Sequence, residues 1–376
     1  MEPSKKKQKT AATDAKEGGN GGEGQGPPEH EHDSLFQACQ QGASEAEVLR
    51  SLLREGGAES FPIHQADERG RTTLDDTLMR ACQHGHDLGV VRVLITQGHA
   101  AVNQADEDGV TPLYMACRKG HLEVVRFLVT EGHAAVNQAK NNGVTPLYMA
   151  CQNGHLEVVH FLVTEGHAAV NQADEDGFTP LQTACQEGYL EAVRFLVTEG
   201  HAAVNQADED GVTPLYMACQ KGHLEVVRFL VTEGHAAVNQ AAEDGVTPLG
   251  VACEKGHLEV VRFLVSERHT AVNQPVRRGH TPLRIAAGCG SYNVVRYLAS
   301  SGAHLTQLSD ALWRSEHVLV ALTQGCQDRL RALLPPLLAA AVVLPPGQGG
   351  LEPFLLPLVL EYALPSTWED IQKEMW

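Results

Sequence analysis

Residues 105–138 read A-D-E-D-G-V-T-P-L-Y-M-A-C-R-K-G-H-L-E-V-V-R-F-L-V-T-E-G-H-A-A-V-N-Q, and this stretch decides the fold because it returns in near-copy along the chain. Its cysteine recurs at Cys117, Cys151, Cys185, Cys219 and Cys253, each 34 residues after the last. Cys82 and Ala287 hold the same slot in two less regular copies. A fixed period of this length signals stacked supersecondary units.

One unit can be read residue by residue. Thr111 suits an N-cap and Pro112 the first helical position, where its missing N–H costs nothing. The helix so started carries Leu113, Ala116 and Cys117 on one stripe and stops at Gly120, which tolerates the left-handed conformation that closes helices. A second helix runs from about Leu122 to Glu131. Its Leu122, Val124, Val125, Phe127, Leu128 and Val129 form an apolar surface broader than one stripe, so it must be covered on several sides. Glu123, Arg126 and Thr130 are left for water, the Glu123–Arg126 pair adding a few tenths of a kcal/mol at most. Gly132 is expected to end this helix, and Val136, Asn137 and Gln138 lead through an extended, turn-rich connection to the next D-G. A helix pair this small cannot bury its own apolar surface and is stable only when stacked on its neighbours.

With T-P-L at Thr111, Thr145, Thr179, Thr213, Thr247 and Thr281, followed by G-H-L-E-V-V and V-N, the unit resembles the ankyrin repeat over about residues 34–305. The resemblance implies an all-α solenoid of helix-turn-helix units joined by β-turn or hairpin-like loops, about eight repeats in all, the first degenerate. The family usually has His after T-P-L, where this chain has Tyr114, Tyr148, Gln182, Tyr216, Gly250 and Arg284. It also implies a non-enzymatic protein-binding scaffold whose partner lies along the concave surface, against the turn tips and the outward side of each first helix. Those slots hold Asp106, Glu107, Asp108, Val110, Met115, Arg118 and Lys119, then Val144, Met149 and Gln152, then Phe178 and Gln186, then Asp208, Asp210, Val212, Met217, Gln220 and Lys221. They read as an acidic comb bordering an exposed apolar Val and Met strip. By the same resemblance, Asn103, Asn137, Asn171, Asn205, Asn239 and Asn273 of V-N are candidate hydroxylation sites, although Asn also suits that place by hydrogen-bonding its local turn.

Outside the array, residues 1–33 are rich in Gly, Glu, Lys and Pro, and their only large apolar side chain is Met1. They cannot offset their ordering entropy, and a disordered charged tail is expected. Lys5, Lys6, Lys7 and Lys9 form a basic cluster of nuclear-import type, which a solvated tail also explains. Residues 306–376 carry apolar segments broken by Pro335, Pro336, Pro345, Pro346 and Pro357, expected as helices that cap the solenoid. Leu322, Cys326 and Leu330, followed by Leu356, Pro357, Leu358 and Tyr362, faintly resemble a suppressor-of-cytokine-signalling box. That resemblance implies an alternative function, substrate recognition for a cullin-type ubiquitin ligase through elongin C.

Composition restricts the partners. With 47 acidic against 29 basic residues, the formal charge of −18 repels phosphate backbones, so nucleic acid is not expected and a basic, extended or helical protein segment is. Nine scattered cysteines and a charged N-terminus point to a reducing compartment, cytoplasmic or nuclear, with no membrane span expected. Cys117 with His121, and Cys219 with His223, have metal-ligand spacing, but a buried stripe and a loop are different surroundings and a structural zinc needs four ligands. No metal, cofactor or catalytic motif of the nucleophile-elbow, metalloprotease or P-loop type is expected.

Overall fold

The computed structural model describes residues 70–85, 88–267, 272–276, 279–304 and 317–329, together with Asp67, Leu308 and Ser315. The expected tail 1–33, the degenerate copy from Ser34, the Lys5–Lys9 cluster and residues 330–376 lie outside them.

The architecture is all-α, a solenoid of paired helices. In chain order these are α1 (Thr73–His84) and α2 (Leu88–Thr96), α3 (Pro112–Lys119) and α4 (Leu122–Thr130), α5 (Pro146–Gln152) and α6 (Leu156–Thr164), and α7 (Pro180–Glu187) and α8 (Leu190–Thr198). They continue as α9 (Pro214–Lys221) and α10 (Leu224–Thr232), α11 (Pro248–Lys255) and α12 (Leu258–Arg262), the latter extended by a π turn at Phe263–Glu267, then α13 (Pro282–Gly288) and α14 (Tyr292–Ser300). Residues 317–329 form a further helix, α15. First helices stack on first helices and second on second, giving two layers. No β-strand occurs among the described residues, only an isolated bridge between Val276 and His280.

Each first helix starts as its sequence requires. Thr111 Oγ1 accepts from the Tyr114 N–H at 3.2 Å, with Pro112 in the first turn, and the helix closes at Gly120 with φ 78°. Gly132 does not play the same part for the second helix. There Glu131 is the C-cap and His133 takes the left-handed φ of 54°, as do His99, His167, His201 and His235 at 52–56°. Gly132 is instead needed for contact, since a Cβ there would stand 2.9 Å from the Leu128 carbonyl oxygen.

One continuous core runs through the stack, from Leu74 in α1 to Leu322 in α15. The repeat cysteines Cys82, Cys117, Cys151, Cys185, Cys219 and Cys253 are buried in it, and burial pushes their thiols well up from the ordinary range. Thiolates are the reactive form, so native iodoacetamide treatment should alkylate exposed Cys289 while these six react only after denaturation. Peptide mass mapping before and after guanidinium treatment checks this.

Repeats are held together by devices that the sequence reading did not anticipate. Asn103 Oδ1 accepts from the Ala135 N–H of the next repeat at 2.7 Å, and Asn137, Asn171 and Asn205 serve Ala169, Ala203 and Ala237 at 2.7–2.8 Å. Asn273 does the same for His304 at 2.7 Å. This is a link to the neighbour, where a local-turn bond was expected. At the first junction, Asp75 substitutes: it closes the capping box at Thr72 and accepts from the Ala101 N–H at 2.6 Å.

A second ladder crosses the other layer. Arg92 lies over Phe127 at 5.2 Å, Arg126 over Phe161 at 4.8 Å, Arg194 over Phe229 at 5.0 Å and Arg228 over Phe263 at 4.8 Å. His160 keeps the pattern by stacking on Phe195 at 4.4 Å. Arg126 also reaches Glu165 at 3.6 Å, so it faces the next repeat and not Glu123 of its own helix. Each cation–π contact is worth about 0.5–1 kcal/mol at such exposed sites, more than the adjoining surface ion pair.

Candidate protein-binding face

The turn tips form a hydrogen-bonded row. Asp106 Oδ1 accepts from the N–H groups of Asp108 and Val110 at 3.0 and 2.8 Å, and Asp174 and Asp208 repeat the arrangement with Asp176 and Phe178, and with Asp210 and Val212. Consecutive tips are joined through backbone: Asn141 N–H to Asp108 O at 2.9 Å, Glu175 to Asn142 at 3.0 Å, Glu209 to Asp176 at 3.2 Å and Glu243 to Asp210 at 2.8 Å. Gly143 and Gly177 permit this approach, having φ of 82° and 85° and standing where a Cβ would lie 2.8–2.9 Å from the next tip's backbone. The comb therefore divides. Asp106, Asp174 and Asp208 build their own turns, whereas Glu107, Asp108, Glu175, Asp176, Glu209 and Asp210 are exposed.

Burial pushes the Asp208 carboxyl up to about 6, against backbone donors from Val212 and Asp210 that lower it, with the Asp210 and Asp174 charges adding to the rise. Asp174 is raised for the same first reason. The unfolded value is near 3.9, so the folded chain binds this proton more tightly. Stability is then gained as pH falls from about 6 towards 4, and the ionised carboxylate costs stability above pH 6. Asp208→Asn keeps the acceptor and loses the charge. It should raise thermal stability at pH 7 by about 1 kcal/mol after allowance for solvent screening, and the gain should shrink towards pH 4 in a pH series of melting curves.

Apolar members of the expected strip are not open to solvent. Val110, Val144, Met149 and Met217 are buried at 6–8% exposure, and Met115, Phe178 and Val212 are half-buried. Under the first tips, Val110, Tyr114, Val144 and Met149 pack together, with Met79, Met115 and Tyr148 around them, as a small second core, while Val212 packs against the main core. Arg118, Gln152, Gln186 and Gln220 are half-buried at the ends of the first helices, and Lys119 and Lys221 are exposed. The face thus offers exposed acids and polar helix ends over a packed apolar floor.

The central repeat differs from its copies. Gln182 is fully buried, accepts from the Thr179 N–H at 2.8 Å and donates to the Val212 carbonyl at 2.8 Å, so it closes a capping box and ties the next tip. Thr183 replaces methionine, and its buried hydroxyl has no partner in ordinary hydrogen-bond geometry, although the Tyr148 phenol interacts with it. Burial pushes that phenol up to about 12.

Cys117 and His121 do not converge: Cys117 is in the core, and His121 Nε2 lies 3.4 Å from the Gln83 carbonyl of the preceding repeat. Among the described residues no three His, Cys, Asp or Glu side chains are grouped to hold a metal ion. No described helix is long and apolar enough to cross a membrane. Of the faint C-terminal box, Leu322 is buried against the array and Cys326 is half-buried, while Leu330, Leu356, Pro357, Leu358 and Tyr362 lie outside the described residues.

Comparison with known proteins places this architecture among ankyrin repeats. The family profile described as "Ankyrin repeats (3 copies)" matches residues 78–174, 164–242 and 234–308. Among solved structures, the human ASB11 ankyrin repeat domain is similar with a TM-score of 0.53 and 28% identity, over 60% of this chain and 97% of that one. No curated protein matches the chain.

Proposed function

This chain belongs to the ankyrin-repeat family, and from that premise we propose that it is a non-enzymatic scaffold that holds a protein partner along its turn tips and first-helix ends. The observation that carries this reading is the rigid row of tips, whose exposed Glu107, Asp108, Glu175, Asp176, Glu209 and Asp210 project from a hydrogen-bonded backbone. A pre-organised acidic row costs little ordering entropy on binding and suits a basic, extended or helical segment, in a cytoplasmic or nuclear setting. Hydroxylation of the V-N asparagines, exposed at Asn103, Asn137, Asn171, Asn205 and Asn239 and half-buried at Asn273, belongs to the same proposal, and intact-mass analysis after co-expression with an asparaginyl hydroxylase tests it.

The test of binding uses the full chain and a variant in which those six acids are replaced by their amides. The three turn-forming aspartates are left alone, since they hold the tips. The variant should recover basic partners in clearly lower yield at low salt, and the difference should fade at high salt, where exposed charges separated by more than about 8 Å are screened. Equal capture by both proteins at low salt, measured by quantitative mass spectrometry, would reduce the acids to a solvating surface.

A further inference from the structure

Successive repeats close on one another through a ring. A Cβ built on Gly120 would meet His155 Nδ1 at 2.5 Å, one on Gly154 would meet Tyr189 Cε1 at 2.6 Å, and those on Gly188 and Gly222 would meet His223 and His257 Nδ1 at 2.5 Å. Each glycine is therefore the floor of a seat that the next repeat's ring fills. His155, His223 and His257 also place Nε2 at 3.1, 2.9 and 3.0 Å from the carbonyl oxygens of Arg118, Gln186 and Gln220.

The last junction breaks this rule. Ser291 stands where the 34-residue period puts the ring, and a Cβ on Gly256 would meet nothing but its Oγ at 2.9 Å and its Cβ at 3.6 Å. What remains is an open cavity of about 310 Å³ lined by Gly256, Gly290, Ser291, Tyr292, Asn293 and Val294. We propose that this junction is a binding seat for a histidine side chain supplied by a protein partner.

Three observations select that occupant. The same seat holds imidazole at four other junctions, those of His121, His155, His223 and His257, and a phenol ring at one, that of Tyr189, so its floor and depth accept a planar ring and most often an imidazole. Glu254 occupies the position from which Arg118, Gln186 and Gln220 present their carbonyls, at a helix end where the last carbonyls have no helical partner and can accept from a ring N–H. Finally, the chain sets one ring of its own beside the cavity without filling the seat: His317 packs on Tyr292 with ring centroids 5.4 Å apart, no histidine atom lies within 4 Å of a Cβ built on Gly256, and residues 330–376 contain no histidine. This seat lies at the end of α11, apart from the acidic turn tips on which the scaffold reading is tested. Failure here would leave that reading standing, because it is tested with whole proteins.

The probe is 4-methylimidazole, the histidine side chain without its backbone, titrated into the full chain while the backbone amides of Gly256, Gly290 and Ser291 are followed by NMR. Saturable shifts at these amides are expected at about millimolar probe, the range open to so few atoms. Toluene, a ring of similar size without an N–H, should produce weaker shifts. Ser291→His should fill the seat from within, raising Tm by about 2–4 °C and abolishing the probe shifts. Ser291→Tyr, which copies the filling by Tyr189, is a second variant should the first fold poorly. Absence of saturable shifts in the parent, an equal response to toluene, or persistence of the shifts in both filled variants would overturn the proposal.

Discussion

Replacing Leu162 by Ala is expected to cost about 2–5 kcal/mol in chemical denaturation and to raise hydrogen exchange in helices on both sides of the substituted one. Leu162 is fully buried in α6, beside Phe161 at 1% exposure, and the helix pair has no core apart from the one it shares with α4 and α8. The cavity would therefore weaken two junctions at once. These junctions also carry polar links: Asn137 to Ala169, the His155 ring to the Arg118 carbonyl, and Arg126 over Phe161. In a quasi-one-dimensional stack, stability is a sum of unit and interface terms, so damage to the interfaces spreads to neighbours. Exchange that rises only within residues 156–164 would show that the repeats are not coupled in this way.

Much of the fold was legible because the repeat states its own physics. Thr111, Pro112 and Gly120 mark where the first helix starts and stops, and the broad apolar surface of α4 demands cover on several sides. What could not be read was every interaction between units, since a single repeat does not show which residues meet 34 positions later. Asn103, Arg126 and His121 each look like locally satisfied side chains in one copy, yet each is spent on the neighbouring repeat. Spacing itself held the signal: an Arg and a Phe 35 residues apart, repeated from Arg92 to Phe263, could have been recognised as a pair.

The candidate face was legible in its charges and not in its apolar part. Glu107 and Asp108 are exposed because a turn tip cannot bury a carboxylate without a partner, as any tip sequence would suggest. Val110 and Met149 were expected in the open because the neighbouring tip that covers them is joined by backbone hydrogen bonds, which leave no trace in side-chain pattern. Truncating Met149 and Met217 would accordingly alter stability first and partner contact second.

Gly325→Ala is the substitution for which sequence and structure predict opposite signs. On helix propensity alone, Ala in place of Gly within 317–329 should stabilise the helix by about 1 kcal/mol. Packing forbids it. Gly325 lies against α14, where an added Cβ would run into the Arg296 carbonyl and stand 2.7 Å from Ala299 Cβ, and neither backbone nor a Cβ can swing aside. The closeness is held from both ends, by Arg296 Nε on Asp328 Oδ2 at 2.8 Å and by Val318, Ala321 and Leu322 buried in the shared core. Separating the two helices to admit a methyl should cost about 1–3 kcal/mol, enough to outweigh the propensity gain and loosen α15. Half-buried Cys326 then becomes the reporter, because its alkylation rate should rise several-fold in the variant while the six buried repeat cysteines stay protected. A stabilised protein with unchanged Cys326 labelling would instead mean that α15 is free of the array, and that Leu322 and Cys326 are presented to a partner as the C-terminal box resemblance requires.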